Sequence, residues 1–299
     1  MSCPTIVTLS TIPPRFHLLG PTIDSLLAQD LPVQAINLYI PNSYRRFPDW
    51  DGTLPEVPPG VTIQRCDHDL GPATKILIAA RDHAGQDVDL LFCDDDKIYD
   101  PHWHARFKRV RALHPDACIV EAGENLPDIA DSARPPERMP RAQRWKRKPL
   151  SYRIKRVLSL FTIKSPMYAN SGYVDILSGH AGGMVRPDWF DAEARNIPGN
   201  LWMVDDPWLS GHLERRGIPI WLIAEVRRMK ATDAGTVDAL LDLVQDDAGR
   251  VEMDIAAIDY LRDTYGIWKP AGRPLPPQEH MTETMRELAR RAQVAAAKG

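Results

Sequence analysis

Leu90 to Tyr99 (LLFCDDDKIY) passes from an apolar run into three consecutive carboxylates, Asp94, Asp95 and Asp96. Val88 to Cys93 is dominated by apolar residues and reads as a strand buried on both faces, stopping at Asp94. Carboxylates so close repel one another unless a cation or solvent intervenes. In sheets built from alternating strands and helices, ligands gather just beyond the carboxyl ends of the strands, and that is where this run falls.

The flanking sequence supports such a sheet. Thr5 to Leu9 alternates around β-branched residues as a first strand, and Pro21 opens a helix with Ile23, Leu26 and Leu27 on one face. Ala35 to Ile40 and Val61 to Arg65 read as strands, and Ala73 to Arg81 as a helix. Downstream, Pro101 starts a helix with Trp103, Phe107 and Val110 at helical spacing, and Ala117 to Glu121 returns as a strand. The alternation predicts an α/β fold, a mostly parallel Rossmann-type sheet flanked by helices.

Over residues 123–171 the periodicity fails, and bases dominate from Arg134 to Arg156 with Glu137 the only acid among them. This segment is expected to be a basic insertion or mobile loop. Val174 to Leu177 and Gly183 to Arg186 read as short strands, Pro187 and Pro207 as helix starts, and Ile220 to Ile223 as the strand that closes the sheet. After Gly235 the pattern turns helical through Val237, Leu240, Leu241 and Val244, then Ile255, Ile258 and Leu261. A Pro-rich stretch precedes a last helix, Met281 to Ala297. The expected division is a catalytic domain over residues 1–234 and a helical C-terminal extension over residues 235–299.

With 43% hydrophobic and 26% charged residues over 299 positions, the chain is long and apolar enough for a large core. A net charge of -3 excludes a globally basic nucleic-acid binder. No apolar stretch approaches the ~20 residues of a membrane span, and the first ten residues lack a secretory pattern, so a cytoplasmic location is expected. Cys3, Cys66, Cys93 and Cys118 include no close pair and read as reduced thiols.

Hard carboxylate oxygens suit Mg²⁺ or Mn²⁺, and an ion with free positions bridges readily to a diphosphate. The plain alternative is a solvated acidic turn capping a helix. A sharper rival is a haloacid-dehalogenase-type phosphatase, which also sets two alternating aspartates after an apolar strand, one of them a nucleophile. That family places Thr or Val where this chain has Ile98, and its motif lies near the chain start.

The ordered set of motifs resembles the glycosyltransferases of the A-type (GT-A) fold, in the style of family 2 and its relatives. The matching pieces are Val7 to Arg15 (VTLSTIPPR), Asp69 to Leu77 (DLGPATKIL), Leu90 to Tyr99, Ser178 to Arg186 (SGHAGGMVR) and Met203 to Leu213 (MVDDPWLSGHL). Each is weak alone. The resemblance implies a metal-dependent transferase, moving a hexosyl or related group from a nucleotide diphosphate sugar, a UDP sugar by preference, to a glycan hydroxyl with inversion. Polysaccharide biosynthesis is the implied setting. The other readings are a glycan- or nucleotide-binding protein that keeps the fold without turnover, and the phosphatase.

By that resemblance Thr8, Ser10, Thr11 and Arg15 are candidate donor contacts, and Gly71 and Lys75 approach the phosphates. Asp94 falls to the ribose side and to the metal, Asp96 to the metal, and Asp95 assists. His180 or His212 is a candidate further metal ligand, although a lone His is more often structural. Asp205 and Asp206 match an acidic pair at a helix start, with Asp206 the candidate general base; helix capping is the alternative. Ser178 to Gly183 would let backbone approach the sugar, and Trp202 and Trp208 would flank the acceptor. The basic cluster Arg141, Arg144, Lys146, Arg147, Lys148, Arg153, Lys155 and Arg156 admits three readings. It is a solvated loop, a lid over the diphosphate, or a patch for anionic lipid at the inner face of a membrane or for an acidic acceptor glycan. No nucleic-acid recognition motif accompanies the charge.

Overall fold

The computed structural model describes residues 3–145, 150–158, 167–225, 229–238 and 249–298. Its centre is an eight-stranded sheet. In spatial order the strands are Gly172–Val174, Ile220–Leu222, Cys118–Val120, Gly183–Val185, Asp89–Phe92, Thr5–Ser10, Ala35–Pro41 and Val61–Cys66. The half from Asp89–Phe92 to Val61–Cys66 is parallel throughout. Gly183–Val185 runs antiparallel to both its neighbours, and Ile220–Leu222 is parallel to Cys118–Val120. Ile220–Leu222 does not close the sheet as expected, because Gly172–Val174 pairs antiparallel outside it.

Among the described residues seven α-helices accompany the sheet: α1 Gly20–Leu27, α2 Thr74–Asp82, α3 Trp103–Leu113, α4 Leu150–Leu158, α5 Asp206–Arg215, α6 Arg250–Tyr265 and α7 Glu283–Lys298. Successive strand side chains point to opposite faces, so the sheet sorts its apolar residues into two cores. Val7, Leu9, Leu91 and Cys93 pack with Ile23 and Leu26 of α1 and Trp103 and Phe107 of α3. Ile6, Leu90, Phe92 and Val120 pack with Ile76 and Leu77 of α2 and Trp208 and Leu209 of α5.

The second core also contains Ile255, Ile258 and Leu261 of α6 and Met285 and Leu288 of α7. The C-terminal helices are therefore packed on the sheet domain. Gly211 makes the close approach of α5 and α6 possible, since a Cβ there would lie 2.5 Å from Leu261 Cδ1.

Much of the expected mobile loop is pinned. Arg141 is 4% exposed, and it and Arg134 both hold the buried carboxylate of Asp175. Arg144 pairs with Glu124 at 3.3 Å. Asp175, buried among apolar residues, has to be neutralised, and these guanidinium groups do so. Lys146, Arg147 and Lys148 lie outside the described residues, as do Leu240, Leu241 and Val244 of the expected helix after Gly235. Val237 follows a short 3-10 turn, Asp233–Thr236.

Candidate active site

The strand Asp89–Phe92 ends under the acidic run, and the main chain there is stapled before any side chain acts. The Cys93 amide donates to the Thr8 carbonyl at 3.0 Å, extending the parallel pairing by one residue. The Tyr99 hydroxyl accepts from the Asp94 amide at 3.0 Å and lies 3.3 Å from the His180 carbonyl. Lys97–Ile98 pairs with Lys230–Ala231, which brings Gly235 so close to Asp96 that a Cβ would stand 3.0 Å from its carboxylate.

The three aspartates have three different fates. Asp95 is turned inward and 4% exposed: Thr11 Oγ1 donates to one oxygen at 2.5 Å and Arg15 Nη1 to the other at 2.8 Å. Burial pushes its carboxyl up, against Arg15 and Thr11. Asp94 Oδ1 lies 2.6 Å from Lys75 Nζ. Burial works to raise the Asp94 carboxyl, Lys75 outweighs it, and the net effect is below the ordinary value. Asp96 Oδ1 lies 2.6 Å from Lys97 Nζ.

Lys75 joins this run to the second acidic motif. It sits on the first turn of α2, 4% exposed, and its Nζ also lies 2.9 Å from Asp205 Oδ2. Burial disfavours the ammonium, but Asp205, Asp94 and Asp206 together hold its pKa well above the usual value. Neither Asp205 nor Asp206 caps α5 with its side chain. Asp206 instead turns back, accepting from the Gly179 amide at 2.8 Å and facing Ser178 Oγ at 3.3 Å. Burial first, and then the neighbouring Asp205, push the Asp206 carboxyl up to about 7. A carboxylate titrating there is poised for proton abstraction near neutral pH.

These groups line a cavity of about 1040 Å³ together with Ser10, Thr11, Arg15, Gly71 and His180. Several expected contacts are corrected. Thr8 is fully buried within the sheet, and its hydroxyl has no partner among the described residues. Thr11 and Arg15 reach the cavity wall with groups already engaged by Asp95; Arg15 Nε also donates to the Val237 carbonyl. Gly71 does not offer its amide to a ligand, because Asp69 accepts from it at 2.9 Å. Its φ of +60° and the Trp202 carbonyl, 2.6 Å from where a Cβ would stand, explain the glycine.

His212 is fully buried against Trp208, with ring centroids 4.6 Å apart, so it is a core residue and no metal ligand. Trp208 is equally buried and donates to the Ala194 carbonyl, which removes it from any acceptor surface. Trp202 does line the cavity. His180 lies beside Asp94 and Asp96, and burial first lowers its pKa, which keeps the imidazole neutral near pH 7.

The cavity also has a wall with no counterpart among the sequence candidates. Arg250 and Asp254 of α6, and Thr284, Arg290 and Arg291 of α7, also line it. Arg250 Nε lies 3.1 Å from Asp254 Oδ1, and its Nη2 4.0 Å from Asp205 Oδ1. Nothing in the spacing of these helices marks them as facing a site 150 residues upstream in the chain, from Asp94 to beyond Gly249.

Among the described residues no group of three His, Cys, Asp or Glu side chains is arranged to hold a metal ion unaided. The donors nonetheless suit Mg²⁺ or Mn²⁺. Such ions are bound through one or two carboxylates plus substrate phosphates rather than in an all-protein cage. Asp94 and Asp96 each keep one oxygen that accepts no hydrogen bond from a described residue.

No protein-family model and no curated protein matches the chain. Among solved structures, that of GalNAc-T7 with UDP, GalNAc and Mn²⁺ aligns over 97% of this chain at a TM-score of 0.50 and 14% identity. The chain spans 54% of that structure's length. Two structures of Staphylococcus aureus TarS 1-349, one of them in complex with UDP-GlcNAc, align at a TM-score of 0.40 with 10% and 13% identity. They cover 88% and 76% of this chain and 72% and 57% of their own. The half-parallel sheet with its antiparallel strand beside the acidic run, and the order of the elements around it, is the A-type glycosyltransferase fold.

Proposed function

We propose that the chain is a glycosyltransferase that moves a sugar from a nucleotide diphosphate sugar, a UDP sugar by preference, to a hydroxyl of a glycan, with inversion. The observation that carries this reading is the double contact of Lys75, which ties the acidic run to the acidic pair across one cavity. The GalNAc-T7 structure holds UDP and Mn²⁺ on the same fold, which supports the donor class.

In this reading Asp206 takes the proton from the acceptor hydroxyl as its oxygen bonds to the anomeric carbon, while the bond from that carbon to the diphosphate breaks. The raised pKa of Asp206 matches that task. Lys75 sets a fixed positive charge beside the departing phosphates, and Asp94 and Asp96 would hold Mn²⁺ or Mg²⁺. A bound ion there would supply Lewis-acid stabilisation of the charge developing on the nucleotide. Asp95 positions Thr11 and Arg15 rather than touching the donor. The acceptor enters along the wall built by α6 and α7, whose Arg250 stands 4.0 Å from Asp205.

The test is calorimetric titration with UDP sugars with and without Mn²⁺, followed by donor hydrolysis. Asp96→Ala should abolish metal-dependent turnover while leaving the thermal transition in place; unchanged turnover refutes the assignment. UDP affinity without transfer to any acceptor supports a binding protein instead. The A-type fold leaves the phosphatase reading without support.

A further inference from the structure

Helix α7 has two distinct faces. Met285, Leu288 and Ala289 are buried and hold it in the core. On another face Glu283, Thr284, Glu287, Arg290 and Arg291 line the cavity that contains Lys75 and Asp206. A second, shallower depression of about 420 Å³ shares Glu287, Arg290 and Arg291 with that cavity and adds Val294 and Ala295. These positions recur at steps of three and four residues, so they form one stripe along the helix. At the helical rise of 1.5 Å per residue, the stripe from Thr284 to Ala295 is about 16 Å long, several times the width of a sugar ring.

A run of contacts ties the stripe to the chemistry. Asp205 lies 4.0 Å from Arg250 Nη2, Arg250 Nε lies 3.1 Å from Asp254, and Asp254 accepts from Thr284 Oγ1 at 3.0 Å. Glu124 accepts from Thr282 Oγ1 at 2.6 Å, which pins the chain where α7 begins. The charges then select a class of molecule. Arg290 and Arg291 both pair with Glu287, at 2.9 and 3.4 Å, and Arg291 is also 4.0 Å from Asp259. Glu252 and Glu283 add carboxylates to the cavity lining. With both guanidinium groups matched, a phosphate or uronate polymer meets no surplus positive charge on the stripe. Hydroxyl groups, by contrast, can accept from a guanidinium and donate to a carboxylate at once.

We propose that the stripe on α7 seats a neutral oligosaccharide acceptor several sugars long, with its reacting hydroxyl at Asp206 and its following units along Glu287, Arg290 and Val294. The proposal rests on the transferase reading and narrows its acceptor. A monosaccharide would leave the shared stretch Glu287 to Arg291 and the depression beyond it without a role. Val294, 54% exposed, gives the C–H face of a sugar an apolar contact among the polar groups. Binding along the stripe, remote from the reacting hydroxyl, is the kind of interaction that an enzyme converts into faster transfer.

The test uses the full chain with the UDP sugar that binds it in calorimetry. Acceptors are neutral glucan and chitin oligosaccharides from monosaccharide to hexasaccharide, and oligouronates of the same lengths. For the neutral series kcat/KM should rise about tenfold or more from monosaccharide to tetrasaccharide and then level off, with the oligouronates about tenfold behind at each length. The double variant Glu287→Ala, Arg290→Ala keeps good helix formers on an exposed face, and should lose the advantage of the longer chains. Glu287→Gln, which leaves Arg290 unmatched, should raise use of oligouronates several-fold relative to neutral chains. Equal rates at every length, a parent preference for oligouronates, or a length dependence that survives the double variant overturns the proposal. Donor hydrolysis that no glycan converts into transfer also overturns it while leaving the donor site standing, whereas absence of UDP affinity removes the transferase reading itself.

Discussion

Lys75 Nζ lies 2.9 Å from Asp205 Oδ2, a contact between the first turn of α2 and the start of α5 that spans 130 residues of sequence. The same ammonium holds Asp94, so one buried cation neutralises carboxylates from two motifs. Removing one partner of such an arrangement leaves uncompensated buried charge. Lys75→Met should therefore lower stability by about 3–5 kcal/mol in urea titrations. At sub-denaturing urea it should also abolish turnover, because the acidic pair is no longer held toward the run. A loss under about 1 kcal/mol would mean the ammonium reaches solvent in the folded protein.

Asp206 predicts opposite pH trends for activity and stability. As a general base it works only when ionised, so turnover should fall about tenfold for each unit of pH below its value of about 7. For stability the sign reverses. From the ordinary carboxylate value near 4 up to about 7 the folded chain holds a proton at Asp206 that the unfolded chain has released. Raising pH through that window removes stability. Asp206→Asn should thus be inactive at every pH, yet melt higher than the parent above pH ~7.5 and no higher near pH 5. Melting curves at the two pH values check the second half, and a lower melting point at both would show that Asp206 stabilises the fold as an anion.

Gly182 is the small residue on which the Ser178 to Gly183 stretch turns. Its φ of +98° is open to glycine, and a Cβ would stand 2.6 Å from Cζ2 of the fully buried Trp103. Gly182→Ala should cost about 2–4 kcal/mol from strain and overpacking together. It should also weaken UDP binding, since Ser178, Gly179 and His180 would shift with it. Unchanged affinity in the variant, measured by calorimetry, would separate that loop from the donor.

The alternating strands and helices, the strand ending at Asp94 and the motif around Asp205 were legible in sequence because each depends on local pattern. Roles that depend on what a side chain meets across the fold were not. Asp94, Asp95 and Asp96 are chemically identical in sequence, yet Asp95 belongs to Arg15 and Thr11 while Asp94 belongs to Lys75. Trp202 and Trp208 look alike, but Trp202 lines the cavity and Trp208 is sealed under α6. Arg134 and Arg141 read as part of a loose basic loop because their partner, Asp175, lies beyond it in the chain.

Arg250 links the C-terminal helices to the chemistry, and its removal has a signature that simple loosening lacks. It opens α6, pairs with Asp254, and stands 4.0 Å from Asp205 Oδ1; Asp254 in turn accepts from Thr284 on α7 at 3.0 Å. Burial and Asp205 raise the Asp206 carboxyl, while Arg250 draws it down. Taking that charge away should move Asp206 further up, by about half a unit to one unit. In Arg250→Gln the acid limb of the pH–rate profile for donor hydrolysis should shift to higher pH by that amount. Much of the activity lost at neutral pH should then return on the alkaline side. A uniform loss at all pH values, with the limb in its original place, would mean that Arg250 supports α6 and does not tune Asp206.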